Sequence, residues 1–111
     1  MTDLTGFTPK VIGQVSVDSG LIYIGDPCYV LHKNEPPKSI GKDWDDFCNT
    51  ITHKNYHEFN HDLGHSGLGV VSSTFHGDGL YNVIGFFHND NKRASFVAID
   101  FAGVFKGIEK I

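Results

Sequence analysis

The sequence predicts a mainly β (α+β) fold: an antiparallel sheet arranged as a small sandwich or roll, with one short helix near Asp43–Thr52. Three observations carry this expectation. Segments of alternating or β-branched character recur along the chain, and Gly-, Asp- and Asn-rich turns separate them. Only one stretch has clear helical spacing. At 111 residues the chain has room for one ordinary domain. Residues 1–111 therefore read as a single β-rich domain, with a mobile N-terminus and a surface loop near 32–42. Nine Phe, four Tyr and one Trp supply the core material, because aromatic rings bury large areas per residue.

Taken in order, Lys10–Val17 alternates, with Val11, Gly13, Val15 and Val17 on one parity. Leu21–Gly25 is rich in Ile, Leu and Tyr, and Asp18-Ser19-Gly20 between the two has the chemistry of a hairpin turn. A first hairpin is expected here. Asp26-Pro27-Cys28-Tyr29 bends the chain, since Asp favours the first turn position and Pro presets φ for the second. From His32 to Lys42 the residues are polar and include Glu35-Pro36-Pro37, which predicts the loop.

Asp43 is a suitable helix N-cap, followed by Trp44, Phe47, Cys48 and Ile51 at helical spacing. That helix either stops near Thr52 or runs on through Tyr56, Phe59 and Leu63 to Gly64, although Thr50, Thr52, Asn55 and Asn60 weaken the second half. Three further strands follow at Gly69–His76, Leu80–His88 and Arg93–Phe101. Gly77-Asp78-Gly79 is expected to join the first two as a hairpin, and Asn89-Asp90-Asn91-Lys92 the last two. In the last strand apolar residues occupy both parities, which predicts a sheet covered on two sides. Gly103–Ile111 has room for a short edge strand.

Composition excludes several function classes. The formal net charge is −4 with a single arginine, Arg93, and no basic cluster, so duplex nucleic-acid binding is disfavoured. Neither a signal core in the first ten residues nor an apolar run of membrane-spanning length is present, so no membrane association is expected. Cys28 and Cys48 do not make a disulfide framework; both read as free thiols in a reducing compartment. The expected location is cytoplasmic, or the host cytoplasm if the chain is phage-encoded.

Several constellations could carry chemistry. His53, His57, His61 and His65 stand four apart, and on a helix such imidazoles can share a transition metal, with Glu58 and Asp62 beside them. On that helix they would lie opposite the Trp44–Ile51 stripe, so the ladder reads as polar surface and no metal site is assigned. Cys28 has acidic neighbours in Asp18 and Asp26 and lacks the positive surroundings a nucleophilic thiolate needs. It reads as a buried structural cysteine, and Cys48 as core. Asp18, Asp26 and Asp78 sit in turns, where their ordinary role is to cap backbone N–H groups. Gly77-Asp78-Gly79 lacks the lysine and helix of a P-loop. Tyr23, Tyr29, Trp44 and Tyr81 could stack on a base, with Lys42, Lys54 or Lys92 near a phosphate. No catalytic residue and no cofactor are assigned.

The motifs Val17-Asp18-Ser19-Gly20, Ile24-Gly25-Asp26-Pro27-Cys28-Tyr29, Trp44 with Phe47, and Gly77-Asp78-Gly79-Leu80-Tyr81-Asn82-Val83 occur in this order. The chain thereby resembles a family of small uncharacterised bacterial and phage proteins with an Asp-Pro-Cys-Tyr turn and a Gly-Asp-Gly-x-Tyr-x-Val hairpin. The likeness runs from about Val11 to Phe101; members often carry Pro where Asn82 stands. It implies a bacterial or phage accessory protein and brings no activity with it. By analogy, small phage proteins serve as inhibitors, adaptors or sponges.

The expected function is a non-enzymatic small binding protein, with a phage counter-defence sponge for a nucleotide-type signal as its concrete form. Ligand contacts are expected from Asp26, Cys28, Tyr29, Trp44, Gly77, Asp78 and Tyr81, with a homo-oligomer compatible. Two alternatives remain open: a protein-interaction or inhibitor module, and a small Cys- or metal-dependent hydrolase.

Overall fold

The structure is a computed structural model that describes residues 4–32 and 34–111; the first three residues, where a mobile N-terminus is expected, and Lys33 in the expected loop lie outside them. In chain order the elements are β1 (Phe7–Val17), β2 (Leu21–Gly25), α1 (Cys28–Leu31), α2 (Trp44–Ile51), β3 (Tyr56–Phe59), β4 (Gly69–Ser73), β5 (Gly79–His88) and β6 (Phe96–Asp100). The strands form two antiparallel three-stranded sheets, ordered β1-β5-β6 and β2-β4-β3. The mainly β prediction holds, and α2 is the short helix expected near Asp43–Thr52. The chain divides into two compact units, Met1–Gly20 with Thr74–Ile111, and Leu21–Ser73.

In the first unit β1 pairs with β5 along its length, and β6 adds to the other side of β5. Two expected hairpins are therefore corrected. β1 does not pair with β2, nor β4 with β5; the Gly20 carbonyl instead accepts from the Thr74 N–H at 3.0 Å. The reason is ladder length. β2 offers 5 residues to an 11-residue β1, whereas β5 offers 10. The β5–β6 hairpin forms as expected, with Phe86 opposite Phe96. Of the expected C-terminal edge strand, only an isolated bridge between Val11 and Lys110 appears.

A bulge corrects the reading of β1 as one-faced. Val11 pairs with Ile84 and Gly13 with Val83, so Ile12 is the extra residue. A one-residue shift exchanges the faces of a strand. Val11 therefore joins Ile84 and Phe86 in a core closed by Phe7, Ala98, Phe105 and Ile108. Beyond the bulge Val15 pairs with Tyr81, on the opposite face of β5.

In the second unit Ile51, Phe59, Leu68 and Val71 make the core, with Leu21, Tyr23, Ile40 and Phe47 packed against it. Helix α2 supplies Ile51 and Phe47, whose ring stacks on Phe59 at 5.6 Å. The helix stops at Thr52, and His53 takes a positive φ of 65°. Beyond it, Tyr56–Phe59 pairs with β4 instead of extending the helix. The lower helix propensity of Thr and Asn left that segment to tertiary pairing.

Candidate functional site

The Asp26-Pro27 turn forms as its chemistry dictates. Asp26 Oδ1 accepts from the Cys28 N–H at 2.9 Å, Pro27 takes φ −60°, and one helical turn follows. None of the four residues of α1 is buried. The expectation of a buried Cys28 is thus corrected: its thiol is exposed, and Cys48 is half-buried. Cys28, Tyr29, Val30 and Leu31 are all exposed, so this single turn places no side chain in the core.

Beside α1 lies a cavity of about 500 Å³ within the second unit. It is lined by Cys28, Tyr29 and His32, by Glu35 to Lys38, and by His61, Asp62 and Leu63, with the buried Leu68 among them. The 32–42 loop is tied down where it borders this space. The Lys38 N–H donates to Asp62 Oδ1 at 3.0 Å, the Ser39 hydroxyl donates to the Asn60 carbonyl, and Ile40 packs on the core. The turn from His61 to His65 is closed by the His61 N–H donating to the His65 carbonyl and the Gly64 N–H to the His61 carbonyl, both at 2.8 Å.

These ties hold three rings in sequence. Tyr29 meets His61 edge-to-face at 4.9 Å between centroids, and His61 stacks on His65 at 4.4 Å and 13°. The result is a ring corner on the cavity wall, with Glu35, Lys38 and Asp62 among the same lining residues. Such a wall can stack a planar ligand and hydrogen-bond its edge.

The histidine ladder is not helical, which corrects its geometry. His53 follows the helix end, His57 lies on β3 edge-on to Phe59, and only His61 and His65 come together. Among the described residues no group of three or more His, Cys, Asp or Glu side chains is placed to hold a metal ion. Cys28 shares the cavity with His32 and His61, yet its thiol makes no hydrogen bond to either.

Of the other expected ligand residues, Trp44 is 57% exposed at the start of α2 and stacks on Phe47. Gly77, Asp78 and Tyr81 belong to the other compact unit. There the Gly77 carbonyl accepts from both the Thr74 hydroxyl and the Tyr81 hydroxyl, the latter at 2.6 Å, and Tyr81 is buried against Phe101 while Asp78 is exposed. Sequence reasoning missed His32, Glu35 and Lys38, because nothing local says that a polar loop meets a turn 24 residues away.

No described helix is long and apolar enough to cross a membrane. No protein-family model matches the chain, and no curated protein and no solved structure is similar to it.

Proposed function

We propose that this protein is a non-enzymatic binding protein for a small nucleotide-type ligand, acting as a phage or bacterial sponge for a signalling molecule. The ring-walled cavity beside Tyr29 carries the reading. Its volume of about 500 Å³ lies in the range of small-molecule sites. Stacking of a base on an aromatic ring is worth about 1–3 kcal/mol and tolerates any base. Lys38 offers a cation for a phosphate, and two free thiols favour a reducing cytoplasm, the host's if the chain is phage-encoded. A homo-oligomer is compatible with this reading. Calorimetry against cyclic dinucleotides, adenosine-ribose signals and nucleoside monophosphates is expected to give saturable heat with at least one of them, weakened by Tyr29→Ala. Heat from none of them removes the reading.

A second reading, a protein-interaction module, draws on three exposed apolar side chains of the β2-β4-β3 sheet. Ile24 pairs with Val70, and Tyr56 stands beside Ser72 two residues along β4, with Ile24, Val70 and Tyr56 exposed by 55%, 38% and 75% while Ile22 is buried. Exposed apolar rows of this kind mark contact surfaces. A stoichiometric protein partner captured from host lysate, lost on Tyr56→Lys, would favour it.

A further inference from the structure

We propose that the cavity selects guanine among nucleobases, through the carboxylate of Glu35. The inference rests on the nucleotide-binding reading above and adds to it the identity of the base. The two carboxylates on the lining differ in what they can still accept. Asp62 already spends Oδ1 on the Lys38 N–H. Glu35, exposed on the lining, takes no hydrogen bond or ion pair from any other described residue. An ionised carboxylate only accepts, and it binds most strongly to two adjacent N–H donors in one plane. Guanine presents that pair on its Watson–Crick edge, the ring N–H and the exocyclic amine. Hypoxanthine keeps the first and lacks the second. Adenine places a bare ring nitrogen where a donor is needed, so its lone pair would face the carboxylate. The ring corner of Tyr29 and His61 supplies stacking to any of the three and does not choose between them. Choice falls to the edge, and Glu35 reads the edge.

The experiment is calorimetric titration of the full chain with the 5′-monophosphates of guanosine, inosine and adenosine, which share one phosphate and so isolate the base. Guanosine monophosphate is expected to bind roughly tenfold or more tighter than either of the others. Glu35→Gln, an exposed loop substitution that breaks no hydrogen bond or ion pair among the described residues, is expected to bring its affinity down to that of inosine monophosphate. Equal affinities for the three in the unmodified chain, or a guanine preference that survives Glu35→Gln, overturn the role of Glu35 and leave nucleotide binding standing. Absence of heat with all three, and with the signal panel above, removes both.

Discussion

Tyr23 lies across two glycines that face each other on β2 and β4. Gly25 is paired with Gly69, and a Cβ built on Gly69 would stand 2.2 Å from the Tyr23 hydroxyl oxygen. The ring fills the space that two side chains would need, and burial pushes its hydroxyl above the usual tyrosine value. Gly69→Ala should therefore cost about 1–3 kcal/mol, as overpacking does. Gly13→Ala, with nothing within 4 Å of its Cβ, should cost nothing. Urea midpoints compare the two directly; equal midpoints would remove this account of the ring. Asp100 acts on the other unit. Its carboxylate accepts from the Phe105 N–H at 2.8 Å and the Val104 N–H at 2.9 Å, which hold it below the usual value of 3.8. A depressed folded value gives stability that is present above the unfolded value and lost as pH falls through the folded one. Between pH 7 and pH 3 the urea midpoint should fall further for the unmodified chain than for Asp100→Asn. Parallel curves would show that Asp100 contributes nothing to acid sensitivity.

At the scale of an element, α2 was the most legible part of the chain. Asp43 has the chemistry of an N-cap, and Asp43 Oδ1 accepts from the Asp46 N–H at 2.9 Å while Asp46 Oδ2 accepts from the Lys42 N–H at 3.1 Å. This near-reciprocal capping satisfies donors that the first helical turn cannot. Asp43→Ala should lower stability by about 0.5–2 kcal/mol, measured by thermal or urea unfolding. No change would mean that water replaces the cap without loss. The strands other than β3 were also legible as segments, because alternation and turn residues are local signals, whereas Tyr56–Phe59 carries no such signal and has helical spacing instead. Their partners were not. Asp18-Ser19-Gly20 and Gly77-Asp78-Gly79 have hairpin chemistry, yet the chain passes through both from one sheet to the other.

At the scale of the whole molecule, each sheet has one strand paired on both sides, β5 in one unit and β4 in the other. Protection from exchange follows double pairing and burial. Hydrogen exchange should find the slowest amides of each unit on β5 and β4, and faster ones on β2, β3 and β6. Greater protection on an outer strand would contradict the strand order. The units also set the limits of what could be anticipated about the site. Cys28 and Tyr29 were expected as ligand residues and do line the cavity, whereas Gly77, Asp78 and Tyr81 fall in the other unit.

By itself the sequence determined the strand segments other than Tyr56–Phe59, the helix with its cap, and the turn at Asp26-Pro27, because each depends on side chains acting on backbone within a few residues. Only the tertiary structure decided which strands pair, which face of β1 looks inward past Ile12, and that Glu35, Tyr29 and His61 border one cavity. Those outcomes depend on contacts between residues far apart in the chain, where ladder length and shared burial choose among partners that local chemistry leaves equivalent.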